Sequence, residues 1–149
     1  MSATRLCAKL SVVVCLAGCA SDANEFTLPP GDAERGQAAF IKFRCFDCHR
    51  VYGVDLPAGE EPNQVMVELG GEVERLREYS DLVTAVINPS HRLAKGYNAS
   101  LVANEGKSRM TVYNDVMTVS QLIDIVTFLQ SHYQLRPYEP TRYPDYYGP

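Results

Sequence analysis

The sequence predicts an all-α domain of three to four helices, and three observations predict it. Apolar residues recur at helical spacing in three separated stretches, a helix-capping residue precedes each, and 149 residues with 46% hydrophobic content suit one domain with one core. The domain is expected over residues 31–135. Asp32 is the N-cap expected for the first helix, which should run to about residue 44 with Ala33, Gly36, Phe40 and Phe43 on one face.

Residues 51–61 contain Gly53, Pro57 and Gly59 and read as a solvated loop. A short extended stretch is expected at 64–69, ended by Gly70 and Gly71. Ser80 is the N-cap expected for a second helix, with Leu82, Val83, Val86 and Ile87 on one face and Pro89 as its stop. Periodicity is poor over 90–114, which reads as a long ordered loop with turns at Gly96 and Gly106. The clearest helix is the last. Thr118 and Gln121 form a capping-box pattern, and Val119, Leu122, Ile123, Val126, Leu129 and Tyr133 follow at helical spacing. Residues 136–149 carry four prolines and four tyrosines and read as an irregular strap or disordered end. No internal repeat is visible.

Residues 1–18 stand apart. Arg5 and Lys9 precede an apolar run at 10–16 that is too short to span a bilayer, the pattern of an export signal. Its end, Leu16-Ala17-Gly18-Cys19, resembles the lipobox of bacterial lipoproteins, which implies cleavage before Cys19 and a lipid on its sulfur. An ordinary secretory signal with a nearby Cys is the alternative. Ala20, a residue other than Asp after that Cys, favours the outer membrane over the inner by the same resemblance. Residues 19–30, ending in Pro29-Pro30, then form the tether. The expected location is the periplasmic side, lipid-anchored.

The chain carries 14 basic and 18 acidic side chains; loss of Arg5 and Lys9 leaves 12 against 18, a net of −6. That balance excludes nucleic acid as a natural partner. Of five cysteines, Cys7 and Cys15 leave with the signal and Cys19 takes the lipid. Only Cys45 and Cys48 remain in the domain, so no disulfide framework is expected.

Cys45-Phe46-Asp47-Cys48-His49 is a C-x-x-C-H haem-attachment pattern. Two thiols three residues apart, on a turn leaving the first helix, can add to the two vinyl groups along one haem edge, and the next imidazole then lies under the iron. Three other chemistries share part of the spacing. A zinc site lacks a second Cys pair or a close His pair, a thioredoxin-like site lacks its βαβ context, and a plain disulfide leaves His49 unexplained.

With Gly36 and Phe40 in the first helix, the motif resembles the small class I c-type cytochromes over about residues 31–133. The resemblance implies a small cytochrome c fold, its helices around one covalently bound haem c. It also implies that Gly36 lets the first and last helices cross closely. The family's second axial ligand is a Met in the loop before the last helix, which implies Met110, in Arg109-Met110-Thr111-Val112-Tyr113. Thr111 stands where the family usually has Pro. Met117 and His91 are the other candidates; Met117 fits core packing better, and His91 reads as a surface residue. Met66 reads as core, and His132 as a partner for the negative end of the last helix.

The expected function is transfer of single electrons between redox partner proteins outside the cytoplasm, as tethered carrier or subunit of a redox complex. No small-molecule substrate is required, and the chain is expected not to be an enzyme. A haem enzyme or gas sensor with open or His-ligated iron is the alternative, with His91 as its acid-base group. A non-haem lipoprotein is a third reading. Between His91 and Met110 four cations, Arg92, Lys95, Lys107 and Arg109, face one acid, Glu105. Such a rim would steer an acidic partner.

Overall fold

Helix α1 (Ala33–Lys42) starts where Asp32, in extended conformation at φ −122°, accepts the Arg35 N–H on its side chain at 2.8 Å. In this computed structural model residues 28–59 and 65–137 are described. The signal, Cys19, most of the tether, and the tail from residue 138 lie outside them. Helix α1 ends two residues short of expectation. Arg44 takes a left-handed conformation, φ 56° and ψ 31°, which a right-handed helix cannot continue through. The chain then turns through a short 3₁₀ helix (Cys45–Asp47).

Strand β1 (His49–Val51) follows and pairs in parallel with β2 (Val67–Leu69), His49 opposite Val67. Gly70 and Gly71, both at positive φ, turn the chain into β3 (Gly71–Val73), which pairs in parallel with β6 (Tyr133–Leu135). Helix α2 (Tyr79–Ile87) is capped at Glu78, not at Ser80, and the cap makes no side-chain hydrogen bond. The stretch expected to be a loop holds a one-turn helix α3 (Ala99–Val102), capped by Asn98, and a hairpin of β4 (Ala103–Asn104) with β5 (Lys107–Ser108). Glu105 and Gly106 form its two-residue turn, both at positive φ. Helix α4 (Val119–Gln130) opens with both halves of the Thr118–Gln121 capping box.

The helices carry the core. Phe40 and Val126 are almost wholly buried, and the Phe40 and Phe128 rings meet edge to face at 5.7 Å. Helices α1 and α4 cross so closely that a Cβ on Gly36 would overlap the backbone carbonyl of Asp124, and one on Gly31 the Thr127 hydroxyl. Because α2 also packs on α4, the last helix buries Ile125 and Phe128 beyond its expected stripe, while Val119 is exposed. Asp124 is buried too, 6% exposed. It accepts the Asp32 N–H at 2.8 Å and a two-pronged contact from Arg35 at 2.9 and 3.1 Å. Among the described residues three short strand pairs accompany the four α-helices, a feature the all-α expectation did not contain. No helix of the described residues is long and apolar enough to cross a membrane.

Candidate haem-attachment site

The left-handed Arg44 and the 3₁₀ turn after it set the direction of the C-x-x-C-H residues. Phe46 goes into the core, Cys45 is half-buried against it, and Cys48 is exposed. No disulfide joins the two cysteines. Burial pushes the Cys45 thiol up to about 11, with the charges of Cys48 and Asp47 adding to it. Burial, then Asp47, raises the Cys48 thiol as well. Among the described residues no group of three or more His, Cys, Asp and Glu is placed to hold a metal ion.

His49 opens β1, so the strand's pairing with Val67 fixes its backbone. Burial lowers its basicity, and the Val67 backbone partly offsets this. Its Nδ1 is buried and makes no hydrogen bond. A neutral imidazole with an unsatisfied ring nitrogen suits a metal ligand better than a surface or purely structural histidine.

Cys48 lies on a groove of ≈ 450 Å³ that Lys42, Phe43, Arg44 and Asp47 line from the first helix and its turn, and Thr111, Tyr113 and Val116 from the segment before the last helix. Val116, on the lining, is 69% exposed, and the neighbouring Val112 is exposed as well. These residues fit a haem attached through Cys45 and Cys48. Phe43, Tyr113 and Val116 supply apolar surface beside the second cysteine.

Met110 lies on the same segment, half-buried, its N–H donated to the Ser108 hydroxyl at 3.1 Å. Met117 packs against the core. His91 is exposed, and His132 lies close to the Phe128 carbonyl through Nδ1, 2.8 Å away, at the end of α4. Of the four cations after α2, Arg92 is paired with Asp81 at 3.3 Å, while Lys95, Lys107 and Arg109 are exposed. Tyr113, the aromatic of the Arg109–Tyr113 segment, makes a contact that the sequence did not foretell: its hydroxyl donates to the Phe43 carbonyl at 2.8 Å. An aromatic three residues after Met110 was its only sequence signal. Comparison with family models, curated proteins and solved structures finds no match to this chain.

Proposed function

We propose that the chain is a monohaem c-type cytochrome. Within that class it is an electron carrier, or the equivalent subunit of a redox complex, held outside the cytoplasm by lipid on Cys19, at the outer membrane in preference to the inner. One observation carries the reading: a C-x-x-C-H pentapeptide sits on a turn beside a groove that Phe43, Tyr113 and Val116 line, with a half-buried His49 whose Nδ1 is enclosed and makes no hydrogen bond. Cys45 and Cys48 would hold the haem, His49 and Met110 would ligate its iron, and the iron would supply a one-electron couple. The Met110 thioether favours the reduced iron, and burial of the His49 side disfavours the extra charge of the oxidised state. Both residues stay in place in either state, so electron exchange requires only an exposed edge near a partner's cofactor. No small-molecule substrate enters the scheme.

The test is spectroscopic. Protein expressed where haem attachment operates is expected to carry haem that survives denaturation and acid-acetone extraction. In the ferric state it is expected to show the weak far-red charge-transfer band of Met ligation, lost in Met110→Ala and kept in Met117→Ala. Isolation without covalent haem overturns the reading. The exposed Lys95, Lys107 and Arg109 support an acidic partner, so transfer to that partner is expected to slow as salt rises.

A further inference from the structure

Tyr113 joins two segments that the haem reading makes functionally dependent on each other. Phe43 is the C-cap of α1; its N–H is used inside the helix, and its carbonyl is one of the helix-end acceptors that need an outside donor. The Tyr113 hydroxyl supplies it at 2.8 Å, across 70 residues of sequence. The two rings also meet, centroids 5.4 Å apart and tilted by 55°. The contact therefore fixes the residue just before Arg44, whose left-handed backbone aims the Cys45–Asp47 turn.

On its own segment Tyr113 is a second anchor. Its carbonyl accepts the N–H groups of Val116 at 3.0 Å and Met117 at 2.8 Å, closing the turn that leads to the Thr118 cap. Met110 lies three residues upstream. Burial raises the phenol above its ordinary range, and the nearby Cys45, Cys48 and Asp47 add to this while Thr111 opposes it, so the hydroxyl remains a donor. Elsewhere on this stretch Asn114 donates to the Ile87 carbonyl, and Val112 and Val116 are exposed.

We infer that Tyr113 is a positioning residue for the second axial ligand: its hydroxyl and ring, set against Phe43, hold the Met110 segment across the groove from the Cys45–His49 turn. The inference rests on the cytochrome reading and deepens it. A thioether binds ferric iron weakly, so an external imidazole competes with Met110 in the oxidised protein, and a looser segment makes that competition easier.

The experiment compares imidazole affinity of the ferric holoprotein in wild type, Tyr113→Phe and Tyr113→Leu, with covalent haem content measured on each. Tyr113→Phe is expected to load haem fully and bind imidazole roughly fivefold more tightly, the usual worth of one hydrogen bond. Tyr113→Leu, which also loses the ring contact, is expected to exceed it. A role in stability alone would lower the melting temperature of both variants and leave the affinity unmoved. Affinities of both haem-loaded variants within about twofold of wild type overturn the inference. Should Tyr113→Phe fail to accumulate, Phe43→Leu tests the ring contact from the other side, with the same expected direction and the same limit. A wild type without covalent haem, or one whose imidazole affinity Met110→Ala leaves unchanged, overturns the ligand reading itself and this inference with it. The two failures are therefore distinguishable.

Discussion

Helices α1 and α4 meet backbone to backbone, whereas the stretch between α2 and α4 is held by separate polar contacts. In the helix pair, glycine at 36 brings the chains together, Phe40 and Phe128 fill the crossing, and Asp124 ties the start of α1 to the middle of α4. Over residues 88–117 only Pro89 and Val102 are buried. That stretch is fastened by Glu68 to Tyr97, Ser108 to Ser90, Asn114 to Ile87, and Tyr113 to Phe43. The difference teaches that the first region supplies its own apolar cover and the second does not. In the proposed holoprotein the haem supplies what is missing, which makes cofactor attachment and loop order one event.

The comparison breaks most directly at Gly36. Gly36→Val places a side chain against the Asp124 backbone, so the helices must part; the expected loss is about 3 kcal/mol or more, measured by denaturant unfolding of the holoprotein. An unchanged midpoint would show that the crossing does not control stability. The next largest effect removes the cofactor. A Cys45→Ala, Cys48→Ala variant is expected to lose helix signal in circular dichroism, and its hydrogen-exchange protection should vanish over 88–117 before it falls in α1 and α4. Full helix content and uniform protection would overturn the division between the two regions.

A smaller effect is set by pH. The Arg35 guanidinium, and then the Asp32 N–H, hold the Asp124 carboxyl below its ordinary range. A carboxyl depressed on folding contributes stability that is fully present above its unfolded value, about pH 4, and is lost as pH falls through the folded one. The melting temperature should therefore drop on acidification below about pH 4, and Asp124→Asn should lose this part of the acid response. An identical acid profile in both proteins would remove Asp124 from the account. The smallest effect is at the α4 cap, where Thr118→Ala is expected to cost about 1 kcal/mol in equilibrium unfolding.

Much of the helical frame was legible because its signals are local. The Asp32 cap and the Thr118–Gln121 box lie within three residues of the groups they bond, so sequence spacing reveals them. Ser80 was a false cap for the same reason: serine suits the position, but the helix begins two residues earlier, inside its packing against α4. The strand pairs left no pattern, since three residues are too few for a period and β3 finds its partner about 60 residues later. Asp124 carries no local signal of its role, because its partners Arg35 and Asp32 lie about 90 residues away in the chain.

At the site, Cys45, Cys48 and His49 stand out in the sequence because haem attachment is chemistry between neighbours in the chain. The sequence alone shows the C-x-x-C-H spacing, where two of the helices are capped and which faces are apolar, all properties of spacing within a few residues. Packing between distant elements sets that Gly36 meets a carbonyl, that the His49 Nδ1 is enclosed without a hydrogen bond, and that Tyr113 reaches Phe43. Each depends on groups far apart in the chain, whose approach is set by the packing of whole helices and not by any residue's own preference.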